Sequence, residues 1–216
     1  MLKANGIHKS YGSLQVLKGV DLEISTSEIV SIVGSSGAGK STLLHILGTL
    51  DHPDQGTLEM DGKMLLNLKG EELAKFRNER IGFIFQFHNL LPEFTAQENI
   101  MIPGLIGQAS TESLTKKSGE LAELLGISHR LDHKPSTLSG GEQQRVAVAR
   151  ALINSPAVVF ADEPSGNLDT QNAKGLHELF FTLRKELGQA FVIVTHNEEL
   201  AAMADRKVVM QDGLIL

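Results

Sequence analysis

The chain has no cysteine or tryptophan in 216 residues, and only one tyrosine and nine phenylalanines. Without cysteine there are no disulfides and no thiolate metal sites, which fits a reducing compartment. No apolar run approaches the ~20 residues that a membrane-spanning helix needs. The opening MLKANGIHKSYG lacks the apolar stretch of a secretory signal. Work at a membrane is therefore expected from the aqueous side. Surplus positive charge is missing too: the formal net charge is −6. An acidic chain has no general field for nucleic acid, so no nucleic-acid partner is expected. Repeats and low-complexity tracts are also absent. The length suits one domain, or one domain with a lobe, with a sizeable core.

What is present is an alternation. EIVSIV (28–33), AVVFA (157–161) and AFVIVT (190–195) are short apolar runs of the kind that form buried strands. VLKGVDLEI and GTLEMDGK also read as strands, the second turning at Asp61–Gly62. STLLHILGTL, after Lys40, reads as a helix with an apolar face. Thr95 and Glu98 form a T-x-x-E capping box that predicts a helix from about Ala96, which Pro103 is expected to end or kink. Further helices are predicted over about 112–125, stopped by Gly126, over about 141–153, and over 170–187, closed by Gly188. A short helix and a last strand, KVVMQDG, follow. The pattern predicts an α/β fold with a mainly parallel sheet covered on both faces. An inserted helical lobe over roughly 90–155 interrupts it.

GSSGAGKS fits G-x-x-x-x-G-K-[ST] and lies between a predicted strand and a predicted helix. Glycines let such a loop bring its N–H groups to phosphates, and the helix N-terminus adds partial positive charge. The candidate nucleotide site is therefore Gly34, Ser35, Ser36, Gly37, Ala38, Gly39, Lys40, Ser41 and Thr42. Lys40 is placed to reach the β- and γ-phosphates, and Ser41 to hold Mg²⁺. VVFADE delivers Asp162 and Glu163 at the carboxyl end of a buried strand, where ligands bind in open α/β sheets. Asp162 suits the Mg²⁺ shell, and Glu163 is placed to polarise a water in line with the γ-phosphate. In LSGGEQQR, Ser139, Gly140 and Gly141 open a helix. Local chemistry leaves two readings of them, an anion site or an ordinary serine cap.

GSSGAGKS, LSGGEQQR, VVFADEPSGNLD and VTH, in that order, resemble the nucleotide-binding subunit of ABC transporters over nearly the whole chain. The resemblance implies a P-loop NTPase with a RecA-like core, an antiparallel β subdomain and a helical subdomain, using ATP and Mg²⁺. It implies a head-to-tail homodimer in which Ser139, Gly140 and Gly141 meet the γ-phosphate held by the other copy. Tyr11 then stacks on adenine, and Gln86 senses Mg²⁺ and the attacking water. Glu163 is the base, His196 contacts the γ-phosphate, and Asp169 crosses the interface. Without the resemblance, His196 reads more simply as a strand-end histidine, and Tyr11 as packing. One cassette with no membrane span implies two separate membrane subunits. That places the chain peripherally, on the cytoplasmic face of an inner membrane.

Three of the nine phenylalanines crowd into FQFHNLLPEFTAQENI (85–100). Pro92 argues against one continuous helix there. Phe85 is expected in the core. Phe87, Leu90, Leu91 and Phe94 read equally as core or as the surface that receives the membrane subunits. The stretch, with SGNLD, is most similar to the ATP-binding subunits of bacterial lipoprotein-releasing systems, which extract lipoproteins from the inner membrane. Macrolide-type exporters and the cell-division ATPase share SGNLD. Gln97 departs from the leucine common there. A soluble ABC-type ATPase of repair or translation fits less well, having long insertions or two cassettes. A P-loop kinase would leave LSGGEQQR and His196 without a role.

Overall fold

The computed structural model describes residues 1–216. The chain opens as an antiparallel pair, β1 (Leu2–Tyr11) and β2 (Leu14–Ile24). Alternate residues such as Val20, Leu22 and Ile24 are buried, the period-two pattern of a sheet with one wet face. β3 (Ile29–Val33) is buried along its whole length and feeds α1 (Lys40–Leu47). β4 (Gln55–Met60) turns at Asp61 and Gly62 into β5 (Lys63–Met64). α2 (Gly70–Arg80) leads into β6 (Ile81–Ile84). Three helices follow: α3 (Ala96–Ile106), α4 (Thr111–Leu124) and α5 (Gly140–Leu152). The chain then alternates through β7 (Val158–Asp162), α6 (Thr170–Leu187), β8 (Ala190–Val194), α7 (Glu198–Met203), β9 (Arg206–Gln211) and β10 (Leu214–Ile215).

The strands form two sheets. One is antiparallel, in the order β2-β1-β4-β5. The other runs β10-β9-β3-β8-β7-β6 and is parallel except for β10. Consecutive residues of the parallel strands point to opposite faces and enter two separate cores. Val192 and Val194 join Leu43, Leu44 and residues of the antiparallel sheet. Phe191 and Ile193 join Phe180, Leu183 and residues of α3, α4 and α5. This double burial is why these strands read as continuous apolar runs. The α/β class, the mainly parallel sheet and the three inserted helices agree with expectation.

Some elements differ from it. α2 and β6 carry no sequence prediction, since α2 (GEELAKFRNER) buries only Leu73 and so shows no apolar stripe. α3 runs three residues past Pro103. Its last turn is packed against α4, because a Cβ at Gly104 would lie 2.2 Å from Leu114 Cδ2. Asn78 and Gly107 both donate to the Pro103 carbonyl. Phe85 is half-buried rather than core. It stacks on Phe83 with centroids 5.6 Å apart and borders an open cleft with Pro103, Ile106 and Arg150.

Phe191 is fully buried, 5.0 Å from the Phe180 ring. Phe191→Ala is expected to cost about 3–5 kcal/mol in urea unfolding. Phe87→Ala, at a side chain 68% exposed, is expected to change stability by less than about 0.5 kcal/mol. Equal losses would show that Phe87 is part of the core.

Candidate nucleotide site

β3 ends at Val33, and the chain then passes beneath the carboxyl end of β9. A Cβ at Gly34 would lie 2.1 Å from the Met210 carbonyl oxygen, and one at Gly39 2.9 Å from Leu17 Cδ2. Gly39 also has φ 100°. The loop follows this path only because those positions are glycine. Inside it lies Lys40, 6% exposed, whose Nζ donates to the carbonyls of Gly34 at 3.0 Å and Ser35 at 2.9 Å. Its partners are neutral oxygens, so its charge is available to an anion. The first N–H groups of α1 have no intrahelical acceptor and point the same way.

Ser41 donates from Oγ to Asp162 Oδ1 at 3.0 Å. The two meet because β3 and β7 flank β8 in the parallel sheet. One turn further along α1, His45 Nε2 lies 3.8 Å from Asp162 Oδ2. A hydroxyl and a carboxylate beside a phosphate loop suit Mg²⁺, a hard cation that completes its shell with water and phosphate oxygens. No group of three acidic, histidine or cysteine side chains forms a cage by itself, consistent with that sharing.

Glu163 has a left-handed backbone, φ 46°, which is strained for a long side chain. It is held by its N–H on the Val194 carbonyl and by the Gly166 N–H on its own carbonyl, at 2.9 and 3.0 Å. The His196 N–H donates to Oε2 at 3.2 Å. His196 Nε2 lies 3.3 Å from Oε1, an ion pair only when the ring is protonated, and Oε1 has no hydrogen-bond partner. Burial pushes the Glu163 carboxyl above the ordinary carboxylate range, with the His196 N–H and ring opposing and Asp162 adding to it. A carboxyl so placed is suited to taking a proton.

Tyr11 is 52% exposed, and its hydroxyl donates to Asp51 Oδ2 at 2.6 Å. Lys9 Nζ lies 5.1 Å from the ring centroid and donates to Asp51 Oδ1 and the His52 carbonyl. The ring is thus fixed, with open space before it. A cavity of about 400 Å³ joins Tyr11, Leu14 and Val16 to the glycine-rich loop, Thr42, Glu163 and His196. Lys9, Asp51 and His45 escaped the sequence reading. Each acts through a contact across chain separation, with no local motif.

Ser139, Gly140, Gly141 and Asp169 do not line that cavity. Ser139 caps α5, accepting from the Glu142 N–H, while Glu142 accepts from the Ser139 N–H at 2.8 Å and from Arg130 at 2.6 Å. Gly140 and Gly141 follow, and a Cβ at Gly141 would lie 2.5 Å from Asn172 Oδ1. Asp169 caps α6 by accepting from Asn172. The two helix starts therefore pack against each other through Asn172. Gln86 also stands outside the cavity. Its Nε2 donates to Asn167 Oδ1, and Asn167 Nδ2 donates back to the Gln86 carbonyl.

Beyond Gln86, Phe87, Leu91 and Phe94 are exposed, at 68%, 43% and 42%, while Leu90 packs against the helical core. Asn99, fully buried on α3, accepts from the Leu91 N–H and donates to the carbonyls of Leu91, Phe94 and Thr95. Arg150 of α5 donates to the carbonyls of His88 and Asn89, both at 2.7 Å.

The sequence profile of the family described as ABC transporter matches residues 17–166. The chain belongs to that family. This ABC cassette is 61% identical over 215 residues to the lipoprotein-releasing system ATP-binding protein LolD of Bacteroides thetaiotaomicron, covering 100% of this chain and 99% of that one. It is 59% identical over 216 residues to LolD of Cytophaga hutchinsonii, with the same coverage. Among solved structures it is similar to dimeric MJ0796, a bacterial ABC transporter cassette, with TM-score 0.90 and 39% identity, covering 100% of this chain and 96% of that one. MJ0796 as a post-hydrolysis dimer bound to ADP and Pi gives TM-score 0.89 at the same identity and coverage.

In the cassette's α5 cap, hydrogen bonds from Ser139 and Arg130 hold the Glu142 carboxyl down from 4.5 to about 2, against burial. A depressed folded value stabilises above the unfolded value and is lost as pH falls through the folded one. The wild type is therefore expected to lose urea resistance between pH 4.5 and 2 more steeply than Glu142→Gln. Parallel curves would show that the cap carries no charge-dependent stability.

Proposed function

We propose that the chain is the ATP-hydrolysing subunit of a transporter that releases lipoproteins from a bacterial inner membrane. The observation that carries the hydrolytic part is the Glu163 carboxyl, raised by burial and facing the same cavity as the buried Lys40 ammonium. The likeness to lipoprotein-releasing ATP-binding proteins over the full chain supports the cargo. We read residues 1–216 as one nucleotide-binding domain with a helical subdomain at about 90–155.

In this reading the Gly34–Thr42 loop and Lys40 bind the phosphates of ATP, and Tyr11 stacks on adenine. Ser41 and Asp162, with Gln86, hold Mg²⁺, which supplies neutralising charge to the phosphate oxygens. Glu163 takes the proton of the attacking water, and His196 steadies both Glu163 and the γ-phosphate. Ser139, Gly140 and Asp169 are exposed, with Gly141 buried behind them, and this group completes the site of a second copy. The exposed Phe87, Leu91 and Phe94 receive two membrane subunits, which hold the cassette on the cytoplasmic face.

Glu163→Gln is expected to keep ATP affinity, lose about 10²–10⁴-fold in turnover, and accumulate as a dimer in Mg²⁺-ATP, read by light scattering. Near wild-type turnover would remove Glu163 from the reaction. The same protein, tagged and purified from native membranes, is expected to bring membrane subunits and lipoprotein. Subunits of a drug-export or cell-division type would keep the ATPase and overturn the cargo. Soluble proteins alone would overturn the docking surface.

A further inference from the structure

His177 takes no part in the reading above. It sits on the buried face of α6, 3% exposed, with Nε2 3.1 Å from Ser165 Oγ. Burial holds its imidazole below the ordinary range, with Glu199 opposing. The ring is neutral near pH 7 and offers one donor and one acceptor nitrogen.

Ser165 is the second residue after Glu163. It lies inside the turn that the Gly166 N–H closes onto the Glu163 carbonyl, and its own carbonyl accepts from the Leu168 N–H at 3.1 Å. A second side chain holds this turn from α5, where Gln144 Nε2 donates to the Pro164 carbonyl at 2.6 Å. Glu163 needs such support, because a long side chain persists at φ 46° only where its surroundings over-determine it. A cavity of about 560 Å³ has His177, Glu163 and His196 in its wall. No hydrogen bond joins His177 to Glu163 directly. The link runs through Ser165.

We propose that His177 is a positioning residue for the general base: through Ser165 it locks the Glu163–Leu168 turn to α6 and so aims the Glu163 carboxylate. The inference rests on the reading of Glu163 as that base. It assigns to α6 a role in the chemistry besides presenting Asp169 at its start. His177 does not line the phosphate-loop cavity, so its influence falls on the reaction step and not on nucleotide binding.

The test is steady-state ATPase kinetics of the purified full chain. His177→Phe fills the same space without a hydrogen-bonding group. Its kcat is expected to fall about tenfold or more, since a misplacement of about 1 Å can cost ~10²-fold. KM for ATP is expected to stay within about twofold, since the phosphate-loop contacts are untouched. His177→Gln, whose amide reaches Ser165, is expected to restore most of the rate. Ser165→Ala is expected to match His177→Phe, and the double variant to add nothing further. Wild-type kcat in His177→Phe would overturn the proposal, as would equal losses in the Phe and Gln variants. A loss that tracks the unfolded fraction, measured by circular dichroism at the assay temperature, would also overturn it. Failure of the base assignment reads differently: Glu163→Gln would then turn over like wild type.

Discussion

A buried ammonium whose hydrogen bonds go only to carbonyl oxygens governs this structure. Lys40 is enclosed by its own loop, and two neutral acceptors do not neutralise a charge removed from water. The loop can hold it there because Gly34 and Gly39 pass where a Cβ would strike Met210 and Leu17. The parallel sheet then sets everything else against that charge. β7 and β8, lying side by side next to β3, carry Asp162, Glu163 and His196 to the same edge.

The residues divide into an inward set and an outward set. Tyr11, the glycine-rich loop, Glu163 and His196 share one cavity. Ser139, Gly141 and Asp169 form a second group whose backs touch through Asn172. Between the sets runs the segment from Glu163 to Asp169, tied to α5 by Gln144, to α6 by His177 and to the loop after β6 through Asn167. That segment is therefore in direct contact with both helices and carries the carboxylate at its start.

Much of this was legible in the chain itself. The buried strands announced themselves because both faces are apolar, and the capping box at Thr95 because its partner lies three residues on; the box that Ser139 forms with Glu142 reads in the sequence only as an anion site or an ordinary serine cap. The glycine-rich loop was legible because its chemistry is contiguous. What escaped notice is what depends on distance in sequence. Asp51 orients Tyr11 across 40 residues, and Arg150 holds His88 across 62. α2 hides for another reason: it buries a single leucine, so its sequence reads as solvent-facing polarity. The helix does not end at Pro103, because tertiary packing on Leu114 sustains a helical turn that local propensity disfavours.

Asn99 has a consequence of its own. One amide, sealed beneath the surface, ties Leu91, Phe94 and Thr95 together, adding to the backbone bonds from the Phe94 N–H to Leu91 and from the Asn99 N–H to Thr95. Ordering a loop costs about 1–2 kcal/mol for each residue fixed, and here folding has already met that cost. The loop that carries Leu91 and Phe94 is thus held from beneath by a buried side chain. The hydrogen bonds that hold the loop at Leu91 and Phe94 come from Asn99 and from backbone groups, and the exposed side chains of Phe87, Leu91 and Phe94 take no part in them.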